Sequence, residues 1–259
     1  MMIASRLVAH QSASASSHFA PPLMPTLAHL SGNWERVRRD VARRFDSHPV
    51  LKDEPLLDLA DADQPVYSAD LERAFAAMLQ LGLRAREAGC THAIIACNTM
   101  NLLRPRFEEA TGLQVFDMIT PAKAAAASVA KRVGLIATTA TAQSSLYAHS
   151  EYELVLPSDE EQAQIQQLIV AEKATLEPTV SPFLLQVLRS LVRRGAEALI
   201  LGCTDFATLL PPQDAASSAT APPGYEAGLS EQVGGVPIID PLAELLRAAA
   251  AHVLQERQR

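Results

Sequence analysis

Two stretches decide the reading of this chain: Thr91-His92-Ala93-Ile94-Ile95-Ala96-Cys97-Asn98-Thr99-Met100 and Ala196-Glu197-Ala198-Leu199-Ile200-Leu201-Gly202-Cys203-Thr204-Asp205-Phe206. Each is a short, continuously apolar run, the pattern of a strand buried on both faces of a parallel sheet. Each run ends on a cysteine, and small polar residues and helix-like sequence follow. The motif of helix, glycine, buried strand, cysteine and polar residue therefore occurs twice, about one small α/β domain apart. Two lobes built this way and facing each other would bring both cysteines to one cleft, because ligands of open α/β sheets bind outside the carboxyl ends of the strands.

Working outward, strands alternate with helices almost throughout. Met2–Val8 reads as a first strand and Trp34–Arg44 as a surface helix rich in arginine. Leu56-Leu57 is a weak strand. Ser68 is a candidate cap for a helix running to about Ala88, with Leu71, Phe75, Met78 and Leu81 on one face and Gly89 as its stop. Asn98–Ala110 reads as a helix in which Pro105 marks a kink or restart. Strands are expected at 113–116, 132–137, 152–156 and 236–239, and helices at Thr120–Lys131, from Ser158, at Phe183–Arg194 and at Pro241–Gln258. Residues 211–235 are rich in Pro, Ala, Ser and Gly and read as a loop. The fold class is α/β, with two pseudo-symmetric lobes, each a mainly parallel sheet flanked by helices. Residues 1–117 plus 237–259 are assigned to the first lobe, with Cys97, and 118–236 to the second, with Cys203.

The bulk numbers narrow the function. The chain has 259 residues, 48% of them hydrophobic but only 5% aromatic, and a formal net charge of −7. An acidic balance argues against nucleic-acid or membrane-surface partners, which call for a basic face. No run approaches the roughly 20 apolar residues of a membrane span, and the N-terminal stretch lacks the features of a secretory signal. Three cysteines without a CxxC pair form neither a disulfide framework nor a zinc site, and free thiols suit a reducing cytoplasm. No metal is expected.

A lone cysteine is most often a small buried hydrophobe, and Cys90, at a helix–strand junction, is read that way. Cys97 and Cys203 differ because both sit where the backbone opens toward a helix N-terminus, whose free N–H groups stabilise a thiolate or a bound carboxylate. Asn98, Thr99 and Thr204 add side-chain donors there, although plain N-capping would also account for them.

These residues resemble the aspartate/glutamate racemase superfamily. Ile94–Thr99 looks like its first catalytic motif and Leu201–Phe206 like its second. Val133-Gly134-Leu135-Ile136-Ala137-Thr138-Thr139, with Thr141, Ser145 and Tyr147, is similar to the strand and threonine loop between them. Val236-Pro237-Ile238-Ile239-Asp240-Pro241 resembles the return into the first lobe. The resemblance implies cofactor-independent racemisation of an amino acid in the interlobe cleft. Cys97 and Cys203 would be the two bases, one taking the Cα proton and the other donating from the opposite face. Asn98, Thr99, Thr138, Thr139, Thr204 and Asp205 would bind the substrate, a small carboxylate or amino acid. Members often form dimers, so a homodimer is expected.

Four departures leave the substrate open. Ala9–Ser14 has no glycine where many members carry a glycine-rich turn. Asn101 stands where many have histidine. Asp205 replaces the usual Glu or His. No arginine is evident in 45–72 for a side-chain carboxylate, and Lys173 is a second-lobe candidate for that task. Other enzymes on the scaffold remain as alternatives: a dicarboxylate cis–trans isomerase, a hydantoin racemase or, less well given both cysteines, a malonate-type decarboxylase. A non-catalytic small-carboxylate-binding protein is the third reading.

Overall fold

Two four-stranded sheets carry the described part of the chain. The computed structural model describes residues 2–5, 44, 56–58, 71–172, 181–206 and 227–258. The first sheet has the order β2-β1-β3-β4, from β1 (Met2–Ser5), β2 (Leu56–Asp58), β3 (His92–Ile95) and β4 (Gln114–Val115). The second has the order β6-β5-β7-β8, from β5 (Arg132–Ala137), β6 (Glu153–Val155), β7 (Ala198–Gly202) and β8 (Ile238–Ile239). Helices α1 (Leu71–Glu87), α2 (Arg104–Thr111), α3 (Ile119–Val129), α4 (Thr139–Ala142), α5 (Asp159–Glu172), α6 (Pro182–Arg193), α7 (Ala227–Gln232) and α8 (Pro241–Arg257) connect and cover them.

The α/β class with parallel sheet between helices is as expected. All pairs of the second sheet are parallel. In the first sheet only β3–β4 is parallel, and β1 runs antiparallel to both of its neighbours. The first sheet is therefore mixed. A buried apolar run specifies a strand but not the direction of the strand beside it.

Two further expectations are corrected. Residues 237–259 were assigned to the first lobe, yet Leu199 pairs with Ile238 and Ile200 with Ile239, so β8 is an edge strand of the second sheet. Helix α8 then packs on α3 and β7 while also joining a core cluster with Ile94 and Ala96 of the first sheet's side. The other correction concerns 211–235. Residues 227–232 form α7, with Leu229 and Val233 buried one turn apart in the second core. A proline-free apolar pair at i, i+4 suffices there to anchor a short helix. Residues 211–226 lie outside the described residues, as do Ala9–Ser14, Ser68, Lys173 and all of Trp34–Arg44 except Arg44, which is helical.

Local sequence accounts for most element ends. Gly89 and Gly195 take positive φ (83° and 96°) and close α1 and α6, a backbone state that costs glycine nothing. Asn98–Ala110 is broken as Pro105 foretold: a 3-10 helix spans Thr99–Leu103 and α2 restarts with the proline in its first turn. Ser158 and Glu161 form a reciprocal cap before α5. The Glu161 amide donates to Ser158 Oγ at 3.2 Å and the Ser158 amide to Glu161 Oε2 at 2.8 Å, satisfying two otherwise unpaired donors.

Three apolar clusters hold the layers. Ala74, Met78, Leu81 and Ala85 of α1 pack with Phe107 of α2 against Ala93 and Ile95. Leu71, expected on that face, is 38% exposed at the helix start. Leu184, Val187, Leu188 and Leu191 of α6 pack with Ile165 and Ile169 of α5 on one face of the second sheet. On its other face Ala122 and Ala126 of α3 and Leu242, Leu245, Ala249 and Val253 of α8 form the third cluster. Each large side chain buried this way contributes about 1.5–3 kcal/mol.

Gly82 lets α1 approach α2. A Cβ there would lie 2.6 Å from the ring of Phe107 and 2.6 Å from Thr111 Cγ2, and Phe107 has no exposure through which to yield. Gly82→Leu is expected to lower unfolding free energy by about 1–3 kcal/mol through overpacking, outweighing the roughly 1 kcal/mol a helix gains on losing an interior glycine. Urea denaturation measures it, and an unchanged midpoint would contradict the packing described.

Candidate active site

The carboxyl ends of β3 and β7 lie together. The Thr204 hydroxyl, one residue past Cys203, donates to the Ala96 carbonyl, one residue before Cys97, at 3.4 Å. The two cysteine loops are thus neighbours, and both cysteines are partly buried. Cys90 is buried among apolar residues, as expected of it.

At the first loop, Cys97 N–H bonds back to the Ile95 carbonyl at 2.8 Å, turning the chain sharply out of β3. Asn101 stabilises this turn. Its Nδ2 donates to the carbonyls of Ile95 (3.1 Å) and Cys97 (2.8 Å). Asn101, noted above as a departure from the resemblance, is therefore a buried tie that shapes the Cys97 turn. Asn98 has helical backbone but makes no side-chain cap bond, so plain N-capping does not explain it. Its Oδ1 instead accepts a hydrogen bond from the Tyr147 hydroxyl.

At the second loop, Gly202 permits the close approach of β7 to β5. A Cβ there would meet Leu135 Cδ1 at 2.8 Å and the Ile136 carbonyl at 3.1 Å. The parallel register pairs Ala137 with Gly202, which sets Thr138 beside Cys203. Asp205 is buried, and its Oδ2 lies 3.5 Å from the Cys203 thiol, which donates to it.

Three threonine hydroxyls bridge the two sheets. Thr99 Oγ1 lies 2.8 Å from Thr138 Oγ1 and 2.9 Å from Thr141 Oγ1, and the last two are 3.1 Å apart. Thr138 also caps α4, accepting from the Thr141 amide. Thr139 is placed differently. Its amide donates to Gln166 Oε1 at 2.9 Å and its hydroxyl lies 3.4 Å from Gln162 Nε2, both on α5. Of the expected binding residues, Asn98, Thr99, Thr138, Thr204 and Asp205 join the cysteines, while Thr139 turns toward α5. Thr141 and Tyr147, quoted in the sequence motif but given no task, belong to the assembly. The Thr138–Thr141 spacing, an N-cap and its N3 residue, was a usable signal. Nothing local pointed from Tyr147 to Asn98.

Around these groups the edge is charged but compensated. Asp240 caps α8 and accepts from Arg44 Nη1 at 2.6 Å. Asp117 accepts from the amides of Ile119 and Thr120 and pairs with Arg104 at 2.9 Å. Burial alone would push the Asp117 carboxyl up. The hydrogen bonds from Thr120 and Ile119 together with Arg104 outweigh it and hold the carboxyl below its ordinary value. Burial pushes the Tyr147 phenol well above its usual range, and Asp240, Tyr152, Asp117 and Cys203 add to this. Among the described residues no group of three or more His, Cys, Asp or Glu could hold a metal ion, and no helix is long and apolar enough to cross a membrane.

Because the folded-state pKa of Asp117 lies below the unfolded value of 3.8, its charged form contributes stability in full above that value and loses it as the pH falls through the folded-state pKa. Asp117→Asn should be less stable than the parent by about 1 kcal/mol near neutral pH, with the gap closing in strong acid. Denaturation at a series of pH values checks this, and a pH-independent gap would show that the charge contributes nothing.

Comparison with known proteins gives a consistent picture. Residues 58–249 match the family described as Asp/Glu/Hydantoin racemase. A glutamate racemase of Gloeobacter violaceus is 27% identical over 179 residues, 68% of this chain and 65% of that protein. One from Gloeothece citriformis is 30% identical over 126 residues, 46% of this chain and 44% of that protein. The matches thus span less than two-thirds of either curated relative. A glutamate racemase isoform of Bacillus anthracis shares the fold, with a TM-score of 0.59 at 19% identity, covering 88% of this chain and 79% of that one.

Proposed function

Since the chain belongs to the Asp/Glu/Hydantoin racemase family, on the match of residues 58–249, we propose that it is a cofactor-independent amino-acid racemase whose two bases are Cys97 and Cys203. The observation that carries this reading is the meeting of the two cysteine loops through Thr204 and the Ala96 carbonyl. Inversion at Cα needs a base on one face and an acid on the other, and like groups on the two faces let the reaction run in both directions. One cysteine, as thiolate, removes the Cα proton. The other, as thiol, delivers a proton to the opposite face. In this proposal Asp205 accepts the Cys203 proton when that residue acts as the base, a role supported by the 3.5 Å hydrogen bond from the Cys203 thiol to its Oδ2.

The carbanion formed next to the carboxylate has no cofactor to spread its charge, so fixed donors must stabilise it. Asn98, Thr99, Thr138, Thr141 and Thr204 supply hydroxyl and amide donors for the α-carboxylate in this proposal. Thr139 enters through its backbone, by fixing the α4 turn from which Thr138 and Thr141 project. The partly buried setting favours the chemistry, because each donor acts more strongly where water is excluded.

The same proposal includes two lobes, residues 1–117 and a second from 118 that takes in β8, with the cleft between them. It also includes a cytoplasmic, homodimeric enzyme that acts on an amino acid of the aspartate/glutamate type, with no nucleic-acid or membrane partner.

Single enantiomers of a panel of amino acids, incubated with the protein in deuterium oxide, should acquire deuterium at Cα by NMR. No incorporation for any amino acid by the folded protein would defeat the reading. Cys97→Ala and Cys203→Ala should each lower racemisation about 10²–10⁴-fold. Turnover of maleate abolished by Cys97→Ala but not by Cys203→Ser would point instead to an isomerase with one nucleophile. Tight carboxylate binding without turnover, surviving both replacements, would point to a binding protein.

A further inference from the structure

The Tyr147–Asn98 contact is not explained by either the cysteines or the threonine cluster. Tyr147 follows α4 on the second sheet's side, is completely buried, and sits in the apolar cluster that contains Met118, Ile119 and Leu242. Its main chain is fixed by the Tyr152 hydroxyl, which donates to the Tyr147 carbonyl at 2.8 Å. Tyr152 is held in turn by stacking on His149, with ring centroids 5.1 Å apart. The one polar atom of the Tyr147 side chain donates to Asn98 Oδ1 across the sheets. Asn98 is 2% exposed, and its Nδ2 is buried with no hydrogen-bond partner among the described residues.

A buried amide donor left unmatched is unfavourable by about 1–3 kcal/mol, so a ligand that accepts from it gains what the empty protein forgoes. The amide group is also a two-ended device. With oxygen and nitrogen exchanged, it would aim an acceptor where it now aims a donor, and an anion there would be repelled. The phenol selects between the two states. As an O–H donor it satisfies Oδ1. In the exchanged state it would accept from Nδ2 and leave its own buried proton unmatched. Burial keeps the phenol protonated through the whole working pH range, so the donor is always present.

We propose that Tyr147 is a positioning residue for the active site: through its bond to Asn98 Oδ1 it locks the amide with Nδ2 toward the cleft, making Asn98 an obligatory donor to the substrate's α-carboxylate. This rests on the racemase reading above. It adds to that reading the element that orients the donor, a side chain from the opposite lobe. It also makes the donor's orientation depend on the two lobes being docked.

The experiment is a double-mutant cycle on the full chain, using the amino acid that shows Cα deuteration with the wild type. Tyr147→Phe keeps the ring and removes only the hydroxyl. It should raise KM about tenfold and leave kcat within about threefold, the pattern of binding lost equally in ground and transition states. In the Asn98→Ala background the same replacement should change KM less than about twofold, because its target is gone. Equal effects in both backgrounds, or a fall in kcat at constant KM, would mean that Tyr147 only supports the core and would overturn the proposal.

Asn98→Asp supplies a second test that does not require replacing the tyrosine. The Tyr147 hydroxyl still holds one oxygen, so the other faces the carboxylate, and KM should exceed that of Asn98→Ala. An Asn98→Asp protein that binds as well as Asn98→Ala would overturn the lock. If the wild type exchanges no Cα proton of any amino acid, the racemase reading and this proposal fall together. If it exchanges and the cycle is additive, only this proposal falls.

Discussion

The constraint on which the site depends is the docking of the carboxyl ends of β3 and β7 against each other. Apolar burial supplies most of that attraction. Ile94 and Ala96 from the first sheet's side share one cluster with Val133, Leu135, Ile200, Ile239 and the inner face of α8. One buried Ile or Leu contributes about 1.5–3 kcal/mol, whereas an ordinary hydrogen bond adds only about 0.5–1.5 kcal/mol net. The polar contacts between the sheets, Thr99 to Thr138 and Thr141, Tyr147 to Asn98, and Thr204 to the Ala96 carbonyl, therefore do a different job. They are directional, and they fix the angle and distance at which two greasy surfaces meet. A site assembled from two separate loops tolerates little error in that geometry.

The distribution of glycine and asparagine follows from this constraint. Gly202 has no room for a side chain because β7 must lie close to β5 just before Cys203. Asn101 ties the Ile95 and Cys97 carbonyls together at the end of β3, in a buried place. From α5, behind Thr138 and Thr139, Gln162 Nε2 donates to the Ala137 carbonyl and Gln166 Oε1 accepts from the Thr139 amide. The candidate groups stand on short turns, and two of these turns, at Cys97 and at Thr138–Thr139, are braced by amide side chains that hold backbone. That is how a loop site attains the rigidity of a scaffold.

Much of the architecture was legible because it is written locally. Continuous apolar runs mark β3, β5 and β7. Gly89 and Gly195 mark helix ends, and Pro105 the restart of α2. The cysteines stand at the ends of their strands as their position in the apolar runs indicated. What was misjudged is non-local. The antiparallel entry of β1 and the attachment of β8 to the second sheet depend on which edges are free when the sheets assemble, and α7 depends on a groove into which Leu229 and Val233 fit. The different placements of Thr138 and Thr139, adjacent and chemically alike, depend on the cap of α4 and on glutamines more than twenty positions away.

By itself, then, the sequence determined the α/β class, the two cysteine-ended strands and the chemistry their side chains can offer, because strand and helix periodicities and turn residues act over a few positions. Only the tertiary structure decided that the loops meet, which threonines share one hydroxyl cluster, and that the Tyr147 hydroxyl donates to Asn98 Oδ1. Those outcomes arise from contacts between residues 39 to 108 positions apart, whose partners are chosen by how the apolar faces pack and not by anything in the neighbouring sequence.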